Sequence, residues 1–162
     1  MLLRQFTEED IPVLPTIANN ENVSKFLTVL FPYPYTLEKA EWWVHTGSKA
    51  NLTRAIEYNG ELAGGISLTQ GKFDYKKSAE VGYWLGESFW SKGIATKALS
   101  EFTEYVFENT ENTRLFAPVA HPNVASMKVL EKCNFNLEGI HKKALFKNGN
   151  YFDSHYYAKL KT

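Results

Sequence analysis

The stretch ESFWSKGIATKALSEF, Glu87 to Phe102, opens an amphipathic segment on a glycine and a run of small residues. Ile94, Ala98, Phe102 and Val106 recur every four residues with Ala95 and Leu99 beside them, and Lys97, Ser100, Glu101, Glu104 and Glu108 fill the remainder. That period predicts a helix of about four turns with one buried face. Its first turn carries backbone N–H groups that no intrahelical carbonyl can accept, at the positive end of the helix dipole. Lys92-Gly93-Ile94-Ala95-Thr96 stand there in place of a strong capping residue. Gly93 can serve the turn alone, or the loop can be a cradle for a phosphate or pyrophosphate; the residues themselves leave both readings open.

Upstream, EVGYWLGE is rich in strand formers, with Val81, Tyr83 and Leu85 alternating against Glu80, Gly82 and Trp84. Downstream, TRLFAPVA reads as a further strand. HPNVASMKVLEKCNF then starts a second helix, with Pro122 excluding helix at His121, Asn123 as a strong cap, and a stripe at Ser126, Val129, Leu130 and Cys133. Asn59-Gly60 and Asn148-Gly149 each join two strand-like runs, and that dipeptide suits a tight hairpin because both central residues need positive φ. The N-terminal third offers a short strand over Leu2 to Phe6, a helix starting at Thr7 and distorted near Pro15, a second start at NNENVSKFL, and a helix capped by Thr36. The sum is an α+β fold, with a mixed, mostly antiparallel sheet flanked by helices that return between strands.

The whole chain bounds the rest. Its 162 residues suit one domain, 1–162, and 44% hydrophobic with 15% aromatic residues describes a folded globular protein. Eighteen basic and eighteen acidic residues cancel, so no bulk positive field collects DNA, RNA or anionic lipid. Cys133 is the single cysteine, which excludes an internal disulfide and fits a reducing cytoplasm. The N-terminus MLLRQFTEED lacks the basic and then apolar run of a signal peptide, and no apolar run is long enough to cross a bilayer. Neither a phosphate loop ending Gly-Lys-Ser/Thr nor a Gly-x-Gly-x-x-Gly turn is present. His45, His121, His141 and His155 are scattered without metal-ligand spacing, so no metal site is expected.

EVGYWLGESFW, followed by SKGIATKAL and then by HPNVASMKVLEKCNF with LEG behind it, resembles the GNAT superfamily of N-acetyltransferases. The likeness covers nearly the whole chain and is greatest to the bacterial ribosomal-protein N-terminal acetyltransferases. It implies the GNAT acyltransferase fold and acetyl-CoA as acyl donor. Trp90, Ser91, Lys92, Gly93, Ile94 and Ala95 match the pyrophosphate loop, so backbone N–H groups from Ser91 to Thr96 are expected to hold the pyrophosphate. Trp90 departs from the Arg or Gln usual at the first position. Tyr83, Trp84 and Leu85 are expected to pair with the pantetheine arm as an added strand would, and Asn123 to reach the cofactor.

Acetyl transfer to an amine needs a proton acceptor and a proton donor for the departing thiolate. The tyrosine many members use as donor matches Leu130 here, and the resemblance puts Ser126 in its place. Glu80 matches a strand glutamate used as base, while the second glutamate of close relatives is replaced by Leu145. Asn134 replaces the usual glycine after the second helix, where asparagine tolerates the left-handed conformation. Glu21, Tyr33 and Tyr35 in the aromatic N-terminal segment are expected acceptor contacts, and Tyr151 and Asp153, with His155, form a second candidate wall. The acceptor is expected to be a protein N-terminus, with a polyamine, an aminoglycoside or another small amine as alternatives. A module that binds acetyl-CoA without turning it over is a further reading, and a homodimer is left open.

Overall fold

The structure, a computed structural model, describes residues 1–162. Seven strands form one sheet in the order β1-β2-β3-β4-β5-β7-β6: β1 Leu2–Arg4, β2 Leu52–Tyr58, β3 Glu61–Gln70, β4 Ser78–Leu85, β5 Arg114–Ala120, β6 Asn136–Lys147 and β7 Asn150–Leu160. The helices are α1 Leu14–Ala18, α2 Glu21–Ser24, α3 Leu37–His45, α4 Ile94–Asn109 and α5 Val124–Lys132. β1 with β2, β2 with β3, β5 with β7 and β6 with β7 pair antiparallel, and β4 with β5 pairs parallel. Both expected hairpins form, with φ of 53° and 81° at Asn59 and Gly60 and 52° and 79° at Asn148 and Gly149, the doubly left-handed turn that matches strand twist. The helix expected from Thr7 is split into a 3-10 turn at Glu8–Asp10 and α1, in which Pro15 stands in the first turn, where its missing N–H removes no hydrogen bond.

The chain divides into two compact units. The first comprises Met1–Leu68 and Gly82–Ala98. Its core gathers Phe6, Leu14, Ala18, Tyr35, Ala40, Val44, Ala55 and Leu62, with Phe31, Trp43 and Trp84 packed against them. Rings meet edge-on, Phe6 with Trp43 at 5.8 Å and Phe31 with Trp84 at 5.2 Å between centroids. β3 and β4 approach closely at Gly64, where a Cβ would fall on the carbonyl oxygen of Trp84, so only glycine fits. That backbone contact places the end of β4, and hence the loop that follows it.

The second unit comprises Thr69–Val81 and Leu99–Thr162. β5 alternates strictly, with Leu115, Ala117 and Val119 buried and Arg114, Phe116, Pro118 and Ala120 half-buried. Leu99, Phe102, Val106, Leu130 and Phe135 are buried in this unit, and the apolar face of α4 is wider than its four-residue stripe because Thr103 and Phe107 are buried too. On α5, Met127 and Leu130 are buried and Ser126 and Val129 flank them half-exposed, so the inward face is turned slightly from the stripe expected. Asn123 caps α5 by accepting from the Ser126 N–H at 3.2 Å, and Asn134 takes φ 63° after its last turn. Replacing Asn123 by Ala is expected to lower stability by about 1 kcal/mol, read as a shifted urea midpoint at unchanged slope.

Candidate active site

In the first unit, β4 ends at Leu85, a 3-10 turn covers Glu87–Phe89, and α4 begins at Ile94. Asn20 and Asn22, at the start of α2, hold this turn by donating to the Glu87 carboxylate at 2.6 and 3.0 Å. Trp90 swings its indole back, and Nε1 donates to the Leu85 carbonyl at 2.9 Å. That bond gives a physical account of a tryptophan at this position: it ties the loop to the strand in front of it. It also occupies the Leu85 carbonyl, one of the groups expected for the cofactor arm. Lys92 sets its ammonium over the Phe89 ring, 5.7 Å from the centroid.

Ser91 and Gly93 have φ of 60° and 74°, and Gly93 runs straight into helical Ile94. A left-handed residue followed by a right-handed one turns successive N–H groups toward a common point, an anion-binding concavity. The Lys97 N–H donates to the Gly93 carbonyl at 3.1 Å, which closes the opening turn of α4 on Gly93 and sets the loop at the positive end of the helix dipole. A Cβ at Gly93 would meet nothing within 4 Å. The protein therefore does not need glycine here for room, only for its φ, and the space above it is open. This geometry fits a pyrophosphate.

In the second unit, β4 pairs with β5 over Ser78–Glu80 and Arg114–Phe116, and β5 runs on to Ala120. Glu80 is the last residue of that ladder. It is exposed on the strand, so its carboxyl still meets water, yet partial burial raises its pKa above the usual glutamate value. Ser126 is half-buried in the first turn of α5, three residues after the capping Asn123. Cys133 is buried and burial pushes its thiol up, which suits packing rather than nucleophilic work.

The expected acceptor residues are treated differently by the structure. Glu21 and Tyr33 are exposed. Tyr35 is only 5% exposed, lies against Phe31 in the core, and has its hydroxyl pKa pushed up to about 12 by burial, so it is a core residue and not a wall residue. Tyr151 is exposed and its ring meets Phe146 at 4.8 Å. Asp153 accepts from Lys143 N–H at 2.8 Å and Lys142 Nζ at 2.9 Å, bonds that hold its carboxyl below the usual range. His155 touches His121 with ring nitrogens 3.1 Å apart.

The register decides which face these residues share. Glu80 lies beside Phe116, and Pro118 opposite Tyr156, whereas Val119 lies opposite His155 and Ala117 opposite Tyr157. Strand residues alternate, so Tyr151, Asp153 and His155 lie on the face opposite to that of Glu80. Phe116, Tyr156 and His141 share the Glu80 face and were not among the expected residues. The period-two pattern was visible in both strands, but which phase faces Glu80 follows only from pairing.

No group of three or more His, Cys, Asp or Glu could hold a metal ion, and no helix is long and apolar enough to cross a membrane. The family model described as "Acetyltransferase (GNAT) domain" matches residues 1–136. The chain belongs to the GNAT acetyltransferase family. Among its relatives in that family, a protein of Bacillus subtilis (strain 168) named provisionally as the ribosomal N-acetyltransferase YdaF is 38% identical over 121 residues, 75% of this chain and 66% of that one. The ribosomal-protein-serine acetyltransferase of Escherichia coli (strain K12) is 35% identical over 100 residues, 62% of this chain and 55% of that one. The aligned stretches thus span two thirds or less of these two relatives' own length. Among solved structures, RimL, a ribosomal L7/L12 alpha-N-protein acetyltransferase in complex with coenzyme A, superposes with a TM-score of 0.83 at 26% identity, over 98% of this chain and 92% of that one. The mostly antiparallel seven-stranded sheet with flanking helices is the GNAT fold.

Proposed function

We propose that residues 1–162 form one N-acetyltransferase domain that moves acetyl from acetyl-CoA directly to a primary amine, in the first place the N-terminal α-amine of a protein in the cytoplasm. The single observation that carries the donor half is the left-handed Gly93, open above its Cα and leading into the N-terminus of α4. Bound there, acetyl-CoA supplies an acyl group already activated as a thioester. The N–H groups from Ser91 to Thr96 bind its pyrophosphate, and the backbone of Tyr83 and Trp84 aligns the pantetheine arm. Asn123 orients the start of α5 through its cap.

Glu80 takes one proton from the acceptor ammonium, leaving the lone pair that forms the new C–N bond as the C–S bond breaks. Ser126 Oγ–H gives its proton to the sulfur that departs and takes in return the second proton that the acylated nitrogen sheds, so the products are a neutral amide and the CoA thiol. Both groups are reached by water, so each can exchange its proton with solvent after a turnover. The similarity to ribosomal-protein acetyltransferases supports a protein amine as acceptor.

The test is the release of free CoA thiol from acetyl-CoA over a panel of peptides with free N-termini and of small amines. Release that depends on acceptor and disappears when the peptide amine is blocked is the expected result. Tight acetyl-CoA binding with no release on any acceptor would favour a module that senses acetyl-CoA.

A further inference from the structure

On the acetyltransferase reading, we infer that the sheet face carrying Glu80, Phe116, Tyr156 and His141 binds the acceptor, and that it selects an amine with a single positive charge followed by neutral or acidic groups. Phe116 and Tyr156 lie nearly parallel, 11° apart with centroids at 6.2 Å, and Tyr156 and His141 at 25° and 4.2 Å. The three rings form a diagonal ladder across β5, β7 and β6. β5 lies between β4 and β7, so on this face Phe116 has Tyr156 on its β7 side and its ladder neighbour Glu80 on its β4 side. An ammonium held against the Phe116 ring by cation–π attraction would stand beside the strand position of the carboxylate that must take its proton.

Charge on the same strands sets the class of acceptor. β4 to β7 carry three acids: Glu80, Glu138 and Asp153. Glu138 is paired with both terminal nitrogens of Arg114, and Asp153 lies on the opposite face, held by Lys142 and the Lys143 N–H. Glu80 is the one carboxylate beside the ladder. A polyamine brings at least one more ammonium, which finds Glu138 and Asp153 already paired and meets the charge of Lys143 on the edge strand β6. A peptide α-amine followed by acidic residues meets attraction at both ends.

The experiment measures CoA release at saturating acetyl-CoA with a short free-amine peptide whose following residues are acidic, its counterpart with lysines, and spermidine. The acidic peptide is expected to lead in kcat/KM by about tenfold over the lysine peptide, with spermidine lowest. Phe116→Leu is expected to raise the peptide KM about tenfold with the acetyl-CoA KM unchanged, and Phe116→Tyr, which keeps a ring, to stay near wild type. Spermidine as the best acceptor, or an unchanged peptide KM in Phe116→Leu, overturns the inference while leaving acetyl transfer standing. If no acceptor is turned over, the proposed function fails separately. Calorimetric titration of the acidic peptide onto CoA-loaded protein then decides: binding weakened by Phe116→Leu sustains the acceptor face, and no binding or equal binding sinks it.

Discussion

Glu80→Gln is expected to lower kcat by about 100-fold to 10,000-fold, on the order of what a positioned general base contributes, with the acetyl-CoA KM unchanged. The carboxamide keeps the shape and loses the proton acceptor. In wild type, only the ionised carboxylate can act, and burial has raised its pKa, so activity falls on the acid side through that raised value and not the ordinary one. The variant should lose that limb of the pH profile along with its rate. Stability moves the other way. Between the unfolded and the raised folded pKa the native state binds the extra proton, so the part of stability that Glu80 supplies is complete below the unfolded value and is lost as pH rises through the folded one. Glu80→Gln should therefore melt no lower than wild type at neutral pH, and any gain should close in acid. A full rate with the acid limb still in place would remove Glu80 from the chemistry.

Gly93→Val is expected to weaken acetyl-CoA binding about 100-fold while lowering unfolding free energy by about 1–2 kcal/mol, the strain of a β-branched residue held at positive φ. The two effects can be separated because the protein has no atom within 4 Å of the added Cβ. Whatever steric loss exceeds the backbone strain belongs to the ligand. Titration calorimetry with acetyl-CoA beside a denaturant melt measures both. Equal losses in the two experiments would return Gly93 to the role of a turn residue, and the pyrophosphate would have to be held elsewhere.

Local chemistry is legible in the sequence. The Asn-Gly turns at residues 59–60 and 148–149, the period of α4, the Asn123 cap and the left-handed Asn134 are each decided within a few residues, where backbone sterics and one side chain dominate. The loop at Gly93 belongs with them, since its φ and its position before a helix follow from a single glycine and a hydrophobic stripe. Trp90 was half legible. Its departure from the usual loop residue could be seen, but its partner, the Leu85 carbonyl, depends on how the turn between them folds back.

The acceptor side was not legible, and the reason is pairing. Tyr151, Asp153 and His155 alternate correctly for a strand face, and so do Ser154 and Tyr156. Only the register of β7 on β5, and of β5 on β4, shows that the second set shares a face with Glu80. Tyr35 was misplaced for a related reason: two prolines make its segment extended, but the packing of Phe31 and the α1 and α3 residues around it is what buries it. By itself the sequence determined most of the elements and where they turn, and it left the Gly93 loop open between a plain turn and an anion cradle. Tertiary structure decided which strands are neighbours and so which side chains share a face with Glu80, because a slip of one residue in pairing exchanges the two faces of a strand without altering its local pattern.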